Sequence, residues 1–165
     1  LTHLVKIEIF KQGTVSDINV VNILVINGPN LNMLGKRDSE HYGTKTLYDS
    51  LEYCRETSER LQVCIFPFQS NFEGDIVKYI QDHSIDSAGI LINAGALTHY
   101  SYALSDALVD SKLPVVEVHI SNVYAREQYR SNSVVSSVSI GQVAGLGWRG
   151  YAYALELLVQ YLKDI

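Results

Sequence analysis

Apolar and polar positions alternate along the chain in blocks that predict strands and helices in turn. Five short runs are almost continuously apolar and predict buried strands at residues 22–26, 63–68, 88–92, 114–119 and roughly 137–144. Between and after them, apolar residues recur at helical spacing and predict helices at 46–61, 73–83, 100–111 and 150–163. Strands that are apolar throughout are typical of a parallel sheet covered on both faces.

This order of elements predicts an α/β fold. We expect a flavodoxin-like, doubly wound, five-stranded parallel sheet with strand order 2-1-3-4-5 and helices on both faces. No repeat, low-complexity tract or linker divides residues 22–165, which should form one domain. Residues 1–21 are an N-terminal extension of unknown role. An additional edge strand, an ordered arm and an over-long gene prediction are the alternatives for it.

Composition narrows the classes of partner. Acidic residues outnumber basic ones by 18 to 13, for a formal net charge of −5. That balance argues against nucleic acid, which favours a basic face. No segment approaches the ~18 apolar residues of a membrane span, and the first residues contain no secretory apolar run.

Cys54 and Cys64 lack CxxC spacing, so we expect reduced core thiols in a cytoplasmic protein.

The fold predicts where a ligand should bind. In open parallel sheets, ligands bind beyond the carboxyl ends of the strands, where the strand order switches. The loops after the first, third and fourth strands meet there. They carry many polar side chains: Asn27, Asn30, Arg37 and Tyr42 in the first, Asn93, Thr98 and His99 in the second, and His119, Ser121, Asn122 and Arg126 in the third. The sequence therefore predicts a small-molecule site at this edge.

The connection after the first strand runs to about residue 45, whereas connections of about 4–6 residues are usual. It places Arg37 five residues before Tyr42. A guanidinium favours the phenolate form, and lowering a phenol pKa near ~10 by about two units requires roughly 2.7 kcal/mol. Such a phenolate could remove a proton beside a carbonyl. The alternative is that Tyr42 packs the loop and Arg37 is a surface charge.

His119 ends the fourth strand two residues after Glu117, so both side chains share one face. Glu117 could orient or charge the imidazole, and we interpret His119 as a general acid, with a structural histidine as the alternative. Asn30 and Asn93 could cap turns, or hold water and substrate hydroxyls. The backbone amides of Ile120 and Ser121 lie where a carboxylate could bind.

Other site chemistries fit poorly. The glycines at 28 and 35 are too far apart for a phosphate-binding loop, and the G-x-G-x-x-G at 145–150 lacks a following βαβ unit. We interpret the latter as a tight turn with close helix–sheet packing. The five histidines show no HExxH spacing, so no metal is expected. No lysine lies in the predicted core strands for a Schiff base. Of the site chemistries considered, acid–base catalysis without a cofactor remains.

Five segments carry a family resemblance: NGPNLNMLGKRD, HYG, NAGALTH, EVHISNVYAREQYR and GQVAGLGWRGY. In order and spacing they resemble the type II 3-dehydroquinate dehydratases (type II dehydroquinases), from about residue 22 onward. The resemblance implies a hydro-lyase of the shikimate pathway, which leads to chorismate and aromatic amino acids, or of quinate catabolism. It implies cofactor-independent anti elimination of water from 3-dehydroquinate, through an enolate, to 3-dehydroshikimate. It also implies a homododecamer built as a tetramer of trimers.

Carried onto this chain, the resemblance implies residue roles. Tyr42 would be the base, Arg37 would stabilise its phenolate, and the loop that carries both would close over the substrate. Asn30 would stabilise the enolate oxygen through a water, and His119 would protonate the departing hydroxyl. Substrate would be bound by Asn93, His99, Asp106, Ile120, Ser121 and Arg130. Glu117 and Arg126 would contact these residues, or for Arg126 a neighbouring subunit, rather than the substrate.

A different class of function uses the same edge of the sheet. A flavodoxin-like small-ligand binding or signalling module would hold a flavin or a phosphate there without catalysis. Asn27 and Gly28 stand where such a module would place an acidic phosphoacceptor, which argues against it. A dehydratase-like protein that has lost activity is a third hypothesis, although every matched catalytic position is filled.

Overall fold

The computed structural model describes residues 21–36 and 43–165. Within them, five strands form one parallel sheet in the order β2-β1-β3-β4-β5. The strands are β1 (Val21–Asn27), β2 (Val63–Gln69), β3 (Gly89–Asn93), β4 (Val115–His119) and β5 (Gly141–Ala144), and the helices are α1 (Leu47–Leu61), α2 (Glu73–His83), α3 (Tyr102–Ser111) and α4 (Gly150–Asp164). The predicted strand order is confirmed. Residues 1–20 of the predicted extension lie outside the described ranges.

The sheet separates two hydrophobic layers. Successive side chains of a strand point to opposite faces. Ile23 and Val25 of β1 therefore pack in a cluster with residues of α1 and α4, such as Cys54 and Leu155. Leu24 and Ile26 pack on the other face, in a cluster supplied by α2 and α3. All four β1 side chains are at most 1% exposed. This confirms the prediction of a doubly wound sheet covered on both faces.

Two predicted boundaries are wrong for the same physical reason. The fifth strand was expected from about residue 137 but begins at Gly141. The Ser137 and Ser139 hydroxyls donate to the carbonyls of residues 134 and 135, at 2.7 and 2.8 Å, and hold this segment in a turn. Helix α3 begins at Tyr102 because the Ser101 hydroxyl accepts from the backbone N–H of residue 104 at 3.0 Å. Serine side chains compete with regular backbone pairing in this way.

The two cysteines differ in environment. Cys54 is fully buried on α1, and burial raises the pKa of its thiol to about 12. Cys64 lies on the edge strand β2 and is exposed, as is Phe66 two residues later on the same face. The expectation of two core thiols is therefore wrong for Cys64, because it lies near the start of the edge strand, where its side chain is exposed; both thiols are free. Among the described helices, none has the length and apolar character required to cross a membrane.

Gly28 allows the ends of β1 and β3 to approach closely. Its N–H donates to the carbonyl of Asn93 at 2.8 Å, and a Cβ at Gly28 would lie 2.3 Å from the carbonyl oxygen of Ala94. Gly28→Ala should therefore lower the free energy of unfolding by about 1–3 kcal/mol, measured by urea denaturation. The matched control is Gly74→Ala on α2, where a Cβ meets nothing within 4 Å. It should leave stability unchanged or raise it by up to about 1 kcal/mol. Equal stabilities of the two variants would contradict the prediction.

Candidate active site

A pocket opens at the carboxyl ends of β1, β3 and β4, the edge that the sequence predicts. It is lined by the last residues of β3 and β4 and by residues of the three loops that follow these strands: Pro29, Asn30, Leu31, Asn93, Gly95, Ala96, His99, His119, Ile120, Ser121, Val123, Arg126, Tyr129 and Arg130. Most are polar or small, which suits a small hydroxylated or charged molecule. Nowhere in the described part of the chain do three His, Cys, Asp or Glu side chains group as metal ligands would.

The structure brings most of the predicted site residues together. Those that line the pocket are Asn30, Asn93, His99, His119, Ile120, Ser121, Arg126 and Arg130. Glu117 lies beneath His119 and is fully buried. Asp106 is exposed on α3 and does not line this pocket. Arg37 and Tyr42 lie outside the described residues, so their roles stay predictions.

The buried carboxylate of Glu117 organises the floor of the pocket. Nε2 of His119 lies 2.7 Å from Oε1 of Glu117, as expected for two residues on one face of β4. The Ser133 hydroxyl and the Gln142 amide donate to Oε2 at 3.0 and 2.8 Å. The Thr98 hydroxyl donates to Oε1. Both carboxylate oxygens therefore accept hydrogen bonds from other segments of the fold as well as from His119.

The charge state of Glu117 determines which nitrogen of His119 can act. Burial disfavours the charged carboxylate, but hydrogen bonds from His119, Thr98 and Ser133 outweigh it and hold the pKa of Glu117 below its usual 4.5. An ionised carboxylate only accepts hydrogen bonds, so His119 must donate its Nε2 hydrogen to it. Nδ1 is then the nitrogen that can exchange a proton with a ligand.

Glu117→Gln tests this charge state through stability. Because the pKa of Glu117 is lower in the folded state than unfolded, its contribution is present above about pH 4.5 and is lost as the pH falls through the folded value. The variant should be less stable than wild type by about 1–3 kcal/mol at pH 7, since an amide cannot accept from every present donor. The difference should shrink below about pH 4.5, measured by urea denaturation at several pH values. A difference independent of pH would mean that Glu117 is not ionised in the folded protein.

Asn30 is held by the loop after β2. Its backbone adopts a left-handed conformation, with φ 66° and ψ 0°, which asparagine tolerates better than most residues. Its N–H donates to Oδ1 of Asn71 at 2.9 Å, and the Gln69 amide donates to the same oxygen at 3.1 Å. Gln69 and Asn71 were not predicted as site residues, because they lie at the end of the second strand and after it, whereas the predicted site is formed by the loops after the first, third and fourth strands. The predicted pairing of the first and second strands was the available signal.

Asn93 is held from below by the last helix. Its Nδ2 donates to the hydroxyl of Tyr151 at 2.9 Å, and its Oδ1 accepts from the N–H of Gly95 at 3.2 Å. The Tyr151 hydroxyl donates in turn to Oδ1 of Asn27 at 2.7 Å. Tyr151 and Asn27 are fully buried, and burial raises the pKa of the phenol far above its usual value. In the sequence, Tyr151 is an aromatic residue at helical spacing in the predicted helix at 150–163, which indicates packing and gives no sign of these bonds.

One wall of the pocket is suited to an anion. Nη1 of Arg126 donates to the Ser121 hydroxyl at 3.2 Å, and Nε of Arg130 donates to Glu127 at 2.6 Å. The hydrogen bond from Arg130 lowers the pKa of Glu127 to about 2, so this acid is fully ionised. The guanidinium groups of Arg126 and Arg130 line the pocket together with Ser121, and a carboxylate there can accept charge-assisted hydrogen bonds.

His99 also lines the pocket. Its Nδ1 lies 2.8 Å from the backbone carbonyl of Asn132, and the ring meets Tyr129 edge-on at 5.6 Å between centroids. A carbonyl oxygen only accepts, so Nδ1 carries a hydrogen and Nε2 is the ring nitrogen left for a ligand. The imidazole is therefore oriented by the loop at 128–132 before any ligand binds.

Comparison with known proteins places the chain in one family. The family model "Dehydroquinase class II" matches residues 21–159. The 3-dehydroquinate dehydratase of Halothermothrix orenii is 50% identical over 141 residues, covering 86% of this chain and 95% of that protein. That of Deinococcus radiodurans is 47% identical over 142 residues, covering 86% and 99%. The crystal structure of type II dehydroquinase from Butyrivibrio crossotus superimposes with a TM-score of 0.81 at 43% identity, covering 84% of this chain and 97% of that one. Since so much identity extends over nearly the whole length of these relatives, the chain belongs to the class II dehydroquinase family.

Proposed function

We propose that the protein is a 3-dehydroquinate dehydratase, a hydro-lyase that converts 3-dehydroquinate to 3-dehydroshikimate and water. The observation that carries this proposal is the buried Glu117–His119 pair, at 2.7 Å, under a pocket lined by amides and arginines in a chain of this family. The reaction needs a base for the proton beside the ketone, a polar partner for the enolate oxygen, and an acid for the departing hydroxyl. Each step has a candidate residue.

His119 is the candidate acid. Its Nε2 hydrogen is committed to the ionised Glu117, which leaves Nδ1 to protonate the departing hydroxyl. The carboxylate stabilises the positive charge that the ring carries before it gives up this proton. Hydrogen bonds from Thr98, Ser133 and Gln142 keep the carboxylate in place. The acid is therefore oriented before the substrate binds.

Tyr42 is the candidate base, with Arg37 favouring its phenolate, and both roles rest on the motif that carries them. Residues on either side of their loop support a position at the pocket. Asn30, which would stabilise the enolate oxygen through a water, lines it, and Gly35 packs against Thr46 where the two ends of the loop meet. A preorganised dipole at Asn30 would act where charge develops.

The remaining residues would orient the substrate. The backbone amides of Ile120 and Ser121 and the guanidinium of Arg130 suit its carboxylate, while Asn93 and His99 suit its ring hydroxyls. Asp106 is exposed and would reach a substrate from a neighbouring subunit. This fits the homododecamer, a tetramer of trimers, that we propose for this protein together with a cytoplasmic location.

The test is a direct assay. Purified protein is mixed with 3-dehydroquinate, and the ultraviolet absorbance of the conjugated enone in the product is followed. One sample is untreated, and the other has been pretreated with borohydride in the presence of 3-dehydroquinate and then freed of small molecules. We expect the enone to form at the same rate in both samples, because a lysine Schiff base would be reduced and inactivated whereas an enolate route would not. No enone from folded protein would overturn the proposed function. Loss of activity after borohydride would overturn the enolate route alone.

A further inference from the structure

The hydroxyl of Tyr151 has no part in the mechanism above, although it lies directly beneath the pocket. It is fully buried in the first turn of α4 and bonds to Asn27 and Asn93. These asparagines are the last residues of β1 and β3, and they are partners in the parallel register. The three side chains therefore meet where the strand order switches, and of the three only Asn93 lines the pocket.

Asn27, Tyr151 and Asn93 form a series of hydrogen bonds, and backbone groups at its two ends determine which atom donates and which accepts in each bond. The series begins at Asn27. Its Nδ2 donates to the carbonyls of Val25 and Phe68, at 3.3 and 3.1 Å. Carbonyl oxygens only accept, so Asn27 must turn its nitrogen to them and its oxygen to Tyr151. The Tyr151 hydroxyl has one hydrogen, and the oxygen of Asn27 takes it at 2.7 Å.

The direction then passes to Asn93. Once its hydrogen is used, the Tyr151 oxygen can only accept, so Asn93 must present Nδ2 to it, at 2.9 Å. At its other end, Asn93 faces the N–H of Gly95, which only donates, so Oδ1 must lie there, at 3.2 Å. The hydrogen bonds at Tyr151 and at Gly95 require the same orientation of the Asn93 amide. A flipped Asn93 would set oxygen against oxygen at Tyr151 and N–H against N–H at Gly95.

We propose that Tyr151 is a positioning residue that sets the orientation of the Asn93 amide for substrate binding. The inference rests on the proposed function, because the ligand that Asn93 meets is the hydroxylated ring of 3-dehydroquinate. After its bonds to the described residues Tyr151 and Gly95, the amide retains one N–H and one oxygen lone pair. A ring hydroxyl both donates and accepts, so these two groups in a fixed order match it.

Tyr151→Phe removes the hydroxyl and keeps the ring in the core. We expect KM for 3-dehydroquinate to rise about tenfold while kcat changes by less than threefold, because Asn93 loses one of the two hydrogen bonds that orient its amide, whereas the acid–base residues are unaffected. The matched control is Tyr153→Phe, the same substitution on the same helix at a side chain that is 48% exposed. Its KM and kcat should equal those of wild type.

A merely structural role of Tyr151 gives a different result. Partial unfolding of the variant would lower the apparent kcat and leave KM unchanged. Asn27→Ala provides a second variant that does not touch the pocket lining and keeps the Tyr151 ring. It frees the phenol hydrogen, so either end of Asn93 can face Tyr151, and KM should rise by a smaller factor than in Tyr151→Phe.

A double-mutant cycle on kcat/KM tests whether Tyr151 acts through Asn93. If it does, the Tyr151→Phe substitution should have little further effect in an Asn93→Ala background, so the two changes should be strongly non-additive. Additive effects, or an unchanged KM in both Tyr151→Phe and Asn27→Ala, would overturn the inference while an active wild type upholds the proposed function. No enone from wild type and Tyr153→Phe alike would overturn the proposed function and the inference with it.

Discussion

Replacement of His119 by alanine is expected to lower kcat by about 10²–10⁴-fold, the usual contribution of a positioned general acid. The departing hydroxyl would then leave without the proton that Nδ1 supplies. KM should change little, because the carboxylate-binding groups around Ser121 and Arg130 are retained. The measurement is steady-state turnover of 3-dehydroquinate, with added imidazole as a second arm. Imidazole should restore part of the activity if the lost group acts as an acid.

The control for this variant is His83→Ala. His83 is exposed at the end of α2 and is not among the pocket residues, so turnover should stay within twofold of wild type. His119→Ala also leaves the buried Glu117 without one of its donors, so both variants need a urea denaturation curve to confirm that they are folded. A folded His119→Ala protein with an unchanged rate would refute the role of His119.

Tyr42→Phe is expected to nearly abolish turnover while substrate binding is largely retained. The change removes a single hydroxyl, and with it the base that takes the proton beside the ketone. Turnover is compared with the dissociation constant of 3-dehydroquinate, measured by calorimetry on the inactive variant. The control is Tyr48→Phe, an aromatic residue six positions later that is 70% exposed on α1. Activity retained in Tyr42→Phe would remove Tyr42 as the base.

Hydrogen–deuterium exchange separates the two catalytic variants. In heavy water, His119→Ala should still exchange the proton beside the ketone, because the enolate forms and is reprotonated before the hydroxyl leaves. Tyr42→Phe should show no such exchange. The opposite pattern would reverse the assignment of base and acid.

The strand order could be predicted because the central strands are apolar on both faces. In β1 and β3, buried residues follow one another without polar interruption, and a parallel sheet with helical crossovers leaves few topologies. The bounds of the edge strand β5 were harder to predict. At β5, apolar and serine residues from 137 onward resemble a strand, but hydroxyls such as that of Ser137 bond to the backbone three residues earlier. Such local bonds are decided by geometry that a hydrophobic pattern does not contain.

The site residues that stand at the end of a predicted strand could be predicted from the sequence. Those whose hydrogen-bond partners are distant in the sequence could not. Asn30, Asn93 and His119 each stand at the end of an apolar run, so the fold placed them together before any contact was known. Tyr151 gave no such signal, because an aromatic residue at helical spacing predicts packing. Its partner Asn27 lies 124 positions away, and that pairing exists in three dimensions alone.

That separation also sets the order in which the protein becomes complete during synthesis. At about 5–20 residues per second, a ribosome makes Asn27 roughly 6–25 seconds before Tyr151, given their spacing of 124 residues. In the later part of that interval, once Asn93 has also been made, the nascent chain holds the two asparagines without the phenol that joins them. A chain that ends before residue 151 could pair β1 with β3 and still leave these buried amides unsatisfied. We therefore expect arrested chains to acquire the sheet first and competence for substrate last, when α4 docks.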